Sequence, residues 1–295
     1  MIHYRLIALD MDGTLLCSDK TIAPATLEAV AAANRAGRQV VICTGRPVCE
    51  LAPYRSTFTD IRYCICESGS LLYDLRKERV LAKHTLDPAA VPQIIRAIGM
   101  EDIMPQAMID GQSFVGRADI ERMAHYRMEV YIPLYRETAT PVDDVLDVIR
   151  TRAGEIEKIN LYHVDREASI RTSRRLQSEP IERIYAETSS LELSPLGSHK
   201  GVGLRELAAL LQIPPEETIA VGDADNDLPM LEAAGLAVAM GNANEHVLQA
   251  ADLVTSDNDH DGCGEVIRRY LLAAGDTTAA PACRPEPMRS SAGTS

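Results

Sequence analysis

The sequence predicts an α/β protein in which a parallel β-sheet, with helices on both faces, carries an inserted α+β domain. Three observations in the 295 residues predict it. Short apolar runs alternate with amphipathic stretches up to about residue 75, and the same rhythm returns after about residue 192. Between them the texture changes, and helical stretches mix with polar, strand-like pieces.

The elements follow in order. Leu6 to Leu9 is a short apolar run that ends in Asp-Met-Asp-Gly, a buried strand leading into a turn. Pro24 suits a helix start, Leu27, Val30 and Ala31 share helical spacing, and Gly37 is a stop. Gln39 to Cys43 is the second strand, ending in Thr44-Gly45-Arg46. Tyr63 to Cys66 is the third, ending in Glu67-Ser68-Gly69. In the middle segment Pro88 to Ile98, Ala118 to Arg127 and Glu167 to Gln177 read as helices, and Ile156 to His163 as a strand. Ser198 to Gln212 is a helix with Leu204, Leu207, Ala208 and Leu211 on one face. Strands at Thr218 to Val221, Leu236 to Met240 and Asp252 to Thr255 follow, and a helix from Asp261 to Ala274 closes the fold. The division is a core of residues 1–83 and 191–274, an inserted domain of 84–190, and a tail of 275–295. The tail, rich in Ala, Thr, Pro and Ser, is expected to be disordered.

Composition narrows the function. Hydrophobic residues make up 46% and charged residues 25%, enough for a sizeable core. The formal net charge of −13 argues against a nucleic-acid or anionic-membrane binder, which would carry a basic face. The seven cysteines form no CxxC pair and read as free thiols of a reducing compartment. Cys64 and Cys66 alternate along one strand and share a face. No signal peptide precedes Leu6, and no apolar run approaches the ~20 residues of a membrane span, so a cytoplasmic location is expected.

Four motifs sit where strands of the parallel sheet end, and ligands of such sheets bind at those ends. They are Asp10-Met11-Asp12-Gly13-Thr14-Leu15, Thr44-Gly45-Arg46, Lys200 at a helix start, and Gly222-Asp223-Ala224-Asp225-Asn226-Asp227. Together they meet the demands of phosphate-ester hydrolysis. Negative charge on the phosphoryl group must be offset before an anionic nucleophile approaches. Asp10 and Asp223 can supply the carboxylates that Mg²⁺ prefers. Lys200 adds a fixed positive charge, and its helix N-terminus adds oriented amides. Thr44 offers a hydroxyl, and Gly45 lets a backbone amide come close to phosphate. A carboxylate can attack phosphorus and form an aspartyl-phosphate. Asp12, two residues on, is placed to protonate the leaving oxygen and then to deprotonate water.

Other readings fail. Calcium loops starting at Asp10, Asp223 or Asp257 lack the required Gly, Glu or both, so Asp257 to Asp261 reads as a helix cap near the site. Gly201-Val202-Gly203 lacks the third glycine of a dinucleotide fingerprint and follows no strand. The seven histidines show no zinc spacing. Arg171, Arg174 and Arg175 on an inserted-domain helix read as a solvated face.

The four motifs resemble those of the haloacid dehalogenase superfamily of phosphohydrolases, in its Cof-type branch (subfamily IIB). Ser194-Pro195-Leu196-Gly197-Ser198-His199-Lys200-Gly201 and Val238-Ala239-Met240-Gly241-Asn242-Ala243 are also similar to that branch. The resemblance runs from about Leu6 to Leu272. It implies a Rossmann-like core with an α+β cap inserted between the second and third motifs. It makes Asp10 the nucleophile and a metal ligand, and Asp12 the acid/base, with its backbone carbonyl on the metal. Asp223 becomes a metal ligand and Asp227 supports that site; Thr44, Lys200 and Asn226 hold phosphate, with Gly45 and Arg46 beside them. One departure stands out: Ser68-Gly69 replaces the family's Asn-Gly, which shortens the reach toward the leaving group. The implied enzyme is a Mg²⁺-dependent phosphatase of small phosphorylated metabolites. A phosphosugar mutase and a non-catalytic phosphometabolite-binding protein remain alternatives, and the substrate and oligomeric state stay open.

Overall fold

The computed structural model describes residues 3–186 and 189–273. Ala274, the expected tail and Cys283 lie outside them. The chain first forms β1 (Leu6–Leu9), α1 (Pro24–Arg35), β2 (Gln39–Cys43), β3 (Tyr63–Cys66), β4 (Leu71–Asp74) and β5 (Arg79–Lys83). Next come α2 (Val91–Ile98), β6 (Ile103–Ile109), β7 (Gln112–Gly116), α3 (Arg117–Ile120), α4 (Ile132–Thr138) and β8 (Thr140–Val142). They are followed by α5 (Val145–Thr151), β9 (Lys158–His163), α6 (Arg166–Arg175), β10 (Ile181–Ala186) and β11 (Ser190–Pro195). The last part is α7 (Lys200–Leu210), β12 (Thr218–Gly222), α8 (Leu228–Ala233), β13 (Leu236–Ala239), α9 (Glu245–Ala250), β14 (Leu253–Val254) and α10 (Gly262–Val266).

Two sheets result. The first has eight strands in the order β14-β13-β12-β1-β2-β3-β4-β5, parallel from β14 to β3. Period-2 alternation sorts the side chains of its central strand. Leu6 and Ala8 pack with Leu204, Leu207 and Ala208 of α7 and Met230 of α8. Ile7 and Leu9 pack on the other face with Ala29, Val30 and Ala33 of α1 and Val266 of α10. Each large aliphatic side chain buried this way contributes roughly 1.5–3 kcal/mol. Cys64 and Cys66 do share a face, both fully buried in the α1 side of the core. The antiparallel hairpin β4–β5 at the sheet edge was not foreseen.

The second sheet runs β10-β11-β9-β6-β7-β8 and is antiparallel except where β7 meets β8. Ile103, Ala107, Ile159, Leu161, Leu191 and Leu193 face α2 and α5 on one side. The alternate residues, including Gln106, Met108, Asn160 and Tyr162, turn toward the first sheet's strand ends, where they border a common cavity or its support.

Several expectations need correction. The return to the core was placed at residue 191, yet β11 pairs with β10 and β9 as far as Pro195, so the crossing comes after it. The helix expected from Ala118 to Arg127 breaks after α3 into a 3-10 turn, Met123–Tyr126. Ile120, Met123 and Tyr126 are spaced by three, and this tighter coil buries all three. Between β2 and β3 the chain is a 3-10 helix, Val48–Tyr54, with Pro53 inside it. After α10 a π-helical turn, Ile267–Leu271, replaces continuous α-helix. Asp261 does hold the cap position of α10, but in a left-handed conformation, and its carboxylate accepts from Thr26 and Arg268 instead of capping.

Gly69 joins the two halves of the core. Its φ is +101°, and a Cβ there would lie 2.2 Å from the His199 carbonyl oxygen, at the start of α7. Gly37 also has positive φ, +71°, but no neighbour within 4 Å. Gly37→Ala should therefore cost only the left-handed strain, about 1–2 kcal/mol. Gly69→Ala should add about 1–3 kcal/mol for the forced shift. Urea denaturation of the two variants checks this, and equal losses would contradict it.

Candidate active site

Four strand ends of the parallel sheet meet here, because β1, β2, β3 and β12 all run the same way. Asp10 follows β1, Thr44 follows β2, Ser68 follows β3 and Asp223 follows β12. Lys200 is the first residue of α7.

Lys200 is the centre of the arrangement and only 1% exposed. Its Nζ donates to Asp10 Oδ1 at 2.6 Å and to Asp227 Oδ1 at 2.7 Å. The other Asp227 oxygen accepts from the backbone amides of Asp223 and Ala224, at 2.9 and 3.1 Å. Asp227 thus fixes both the ammonium and the loop that carries Asp223. Asp223 Oδ1 accepts from Thr14 Oγ1 at 2.7 Å. Asp10, Asp223 and Asp227 can bring one carboxylate oxygen each within 4.8 Å of one another. Fully ionised, as a bound cation would favour, the three carboxylates would exceed the one ammonium by two negative charges.

Electrostatics follow from burial. Burial pushes the Asp10 carboxyl up to about 8, against the pull of Lys200 and with the push of Asp227. Burial likewise raises Asp223 to about 6, opposed by the Thr14 hydrogen bond. Burial also works against the Lys200 charge, but the two aspartates outweigh it and hold the ammonium well above its ordinary range.

Asp12 is handled differently. Arg46 makes a bidentate pair with it, Nε to Oδ2 at 2.8 Å and Nη2 to Oδ1 at 2.7 Å, and Lys20 adds a contact of 2.8 Å. Burial tends to raise this carboxyl, but Arg46 and then Lys20 overcome it and hold it below the usual range. Arg46 thus reaches the acid/base candidate, while Thr44 Oγ1 accepts from the Arg46 backbone amide at 3.2 Å.

A cavity of ≈ 590 Å³ opens above these groups. Asp10, Asp12, Thr44, Gly45, Arg46, Lys200 and Asn226 border it, whereas Asp223 and Asp227 lie behind Asp10. Asn242, from the second family-like stretch, donates to the Gly13 carbonyl at 2.8 Å and steadies the first loop. The Asp257 loop meets that same support: the Asn258 amide donates to Asn242 Oδ1 at 3.1 Å. Arg171 and Arg175 are bound to Glu101, away from the cavity.

Residues of the inserted domain form the opposite wall, and motif reading missed them. Lys158, fully buried, donates to the Gly45 carbonyl at 3.1 Å and to Ser68 Oγ at 2.9 Å. It also pairs with Glu192 at 2.7 Å, and Ser68 donates to the same Glu192 oxygen at 3.2 Å. Ser68 therefore ties the core to the second sheet. The signal available was the alternation Lys158-Ile159-Asn160-Leu161-Tyr162, which puts three polar residues on one strand face.

Comparison with known proteins adds family context. The model of haloacid dehalogenase-like hydrolases matches residues 7–267. The pyridoxal phosphate phosphatase YbhA of Escherichia coli (strain K12) is 30% identical over 277 residues, covering 91% of this chain and 99% of its own. The 5-amino-6-(5-phospho-D-ribitylamino)uracil phosphatase YitU of Bacillus subtilis (strain 168) is 30% identical over 281 residues, covering 90% and 97%. A crystal structure of a haloacid dehalogenase-like hydrolase from Bacteroides thetaiotaomicron superposes with a TM-score of 0.78 at 27% identity, covering 90% and 99%.

The raised carboxyls make metal-free stability depend on pH. Unfolded Asp titrates near ~4, so between there and the folded values of about 6 and 8 the native state holds more protons. Stability is then greatest at the acidic side of this window and is lost as pH rises through it. Denaturation in EDTA from pH 5 to 8.5 should show that decline, and Asp10→Asn should flatten it. A wild-type profile rising with pH would contradict the assignment.

Proposed function

The chain belongs to the haloacid dehalogenase-like hydrolase family, in its Cof-type branch, and we propose that it hydrolyses phosphomonoesters of small metabolites with Mg²⁺ and a transient phosphate on Asp10. One observation carries the reading. Asp10 is the carboxylate that belongs both to the cavity floor and to the acidic cluster behind it. The relatives' names supply the substrate class: a phosphorylated cofactor for one, a phosphorylated pathway intermediate for the other. The net charge of −13 and six free cysteines among the described residues support a cytoplasmic enzyme of small molecules rather than of nucleic acid.

The donor set fits a divalent cation. Its oxygens are hard, and its excess of two negative charges matches Mg²⁺. Asp10 and Asp223 would hold the ion, with the Asp12 backbone carbonyl. Asp227 supports them through Lys200 and the Asp223 amide. When bound, the ion supplies positive charge against the phosphoryl oxygens.

The chain's own groups perform the rest. Lys200, Thr44 and the Gly45 amide receive the phosphate, with Asn226 at the cavity edge. Lys200 holds one Asp10 oxygen, which leaves the other for the phosphorus. That oxygen forms an O–P bond while the P–O bond to the leaving alcohol breaks, and Asp12 gives the alcohol oxygen its proton. Asp12, again a carboxylate, then takes a proton from water as the water attacks phosphorus. The Asp10–phosphate bond breaks and inorganic phosphate leaves.

Asp12 must carry a proton before the first step, yet Arg46 holds it ionised. A phosphate dianion entering beside Arg46 gives the guanidinium a competing partner. Its partial transfer to phosphate, with the dianion's negative charge now beside Asp12, would raise the Asp12 carboxyl and favour its protonated form.

Phosphate release from a panel of phosphorylated metabolites tests the reading. Wild-type release should require Mg²⁺ and stop in EDTA, and Asp10→Asn should lower it on the order of 10⁴-fold. Release that persists in EDTA or in Asp10→Asn would refute it. Phosphate returned to another position on the substrate would identify a mutase.

A further inference from the structure

The seam between core and cap holds a carboxyl that no neighbour pairs. Glu67 follows β3 and is fully buried, and neither of its side-chain oxygens has a hydrogen-bond partner among the described residues. Polar contacts close the seam from both sides. The Cys49 amide donates across it to the Gly111 carbonyl at 2.9 Å. Lys83, at the end of β5, reaches Asp110 at 2.6 Å and Glu157 at 3.1 Å in the cap. Lys158 reaches back to the core at the Gly45 carbonyl and Ser68. The fit is close at the turn between β6 and β7, where a Cβ on Gly111 would lie 2.8 Å from the Val48 Cβ.

Charged groups face Glu67 from the elements packed against it: Lys83 from β5, Asp110 from the β6–β7 turn, and Glu157 and Lys158 from the start of β9. The thiols of Cys66 in β3 and Cys49 in the 3-10 helix after β2 face it as well. Neither cation is free to pair with it. Lys158 spends its three protons on the Gly45 carbonyl, Ser68 and Glu192. Lys83 is shared by Asp110 and Glu157, and Glu157 also accepts from the Asp110 amide at 2.9 Å. Glu67, Asp110, Glu157 and Glu192 outnumber Lys83 and Lys158, so an ionised Glu67 has no counter-charge left. A lone carboxylate sealed from water is far costlier than a neutral acid. Burial, and after it Glu157, accordingly hold the Glu67 carboxyl well above the ordinary range, with Lys158 pulling the other way.

We propose that Glu67 is a proton-held latch between core and cap: as a neutral acid it is sealed in the closed seam, and it ionises when the cap lifts and water reaches it. The cavity is bordered by both core and cap, so lifting the cap opens it to solvent. Linkage sets the sign. With the cap lifted, Glu67 titrates near ~4.3, as an exposed glutamate does. Above that value the closed state holds one proton more than the open state. The advantage of closure is therefore full at acidic pH and is lost as pH rises toward the value Glu67 has in the closed seam. The latch is independent of the reaction that the cavity carries out.

Hydrogen exchange of the Cys49 amide tests it, because that amide is bonded across the seam. Rates are measured by NMR for the wild type and for Glu67→Gln. Their ratio at each pH cancels the intrinsic exchange chemistry and the titrations common to both proteins. The wild-type rate should gain on the variant by about tenfold per pH unit above pH ~5, until Glu67 ionises within the closed seam. A ratio that does not change with pH would overturn the proposal. Cys49 should also exchange faster than the Ile7 and Ala8 amides of β1, which open only with the core. Equal rates would mean that the seam opens only by global unfolding, and would overturn the latch too. Should Glu67→Gln fail to fold, the wild type alone decides. Carbon-13 NMR should find its Glu67 carboxyl still protonated at about pH 6, where an exposed glutamate is ionised; a carboxylate there would overturn the proposal.

Discussion

The ammonium of Lys200, sealed between Asp10 and Asp227, is the interaction on which the rest of the site depends. A charge so deeply buried is tolerable only when paired and hydrogen-bonded, and removing one partner of such a pair typically costs about 3–5 kcal/mol. Its contacts of 2.6 and 2.7 Å join α7 to the loops after β1 and β12, three segments far apart in sequence. Asp227 carries the constraint onward, because its second oxygen holds the Asp223 backbone. The position of the proposed nucleophile Asp10 and the geometry of the acidic cluster therefore depend on one buried cation.

The core was legible because its chemistry sits in short contiguous motifs at strand ends. Asp10, Thr44, Lys200 and Asp223 each follow or begin an element whose type is plain from apolar periodicity. Parallel strands then bring the motifs together without any need to know side-chain packing. Their partners were harder to foresee. Nothing in Thr44-Gly45-Arg46 says that the guanidinium will take Asp12, because that depends on a loop-to-loop distance. The β4–β5 hairpin was missed because its strands are short and one is half-exposed. The cap wall was missed for a different reason. Gln106 lies on β6 and Asn160 and Tyr162 on β9, strands with no motif of their own, and only the antiparallel register places them side by side.

Core and cap are joined by polar contacts that also shape the cavity. Lys158 and Glu192 reach Ser68, and Lys158 also the Gly45 carbonyl, at the edge of the proposed phosphate site. Glu50 reaches Gln106 from the core side; burial pushes its carboxyl up to about 7, with Arg46 pulling the other way. The same residues that hold the cap over the strand ends thus line or support the cavity. Ser68, where the resembled family often has Asn, accepts from the same Lys158 ammonium that reaches the Gly45 carbonyl.

The central claim is that phosphate passes through Asp10, and the most direct measurement is to catch it there. Enzyme mixed with excess substrate and Mg²⁺, quenched in acid within milliseconds and digested, should yield one phosphorylated peptide, modified at Asp10 and sensitive to hydroxylamine. Its amount should rise and decay at rates that account for turnover. Turnover with no covalent phosphate, or with phosphate on any other residue, would contradict the account.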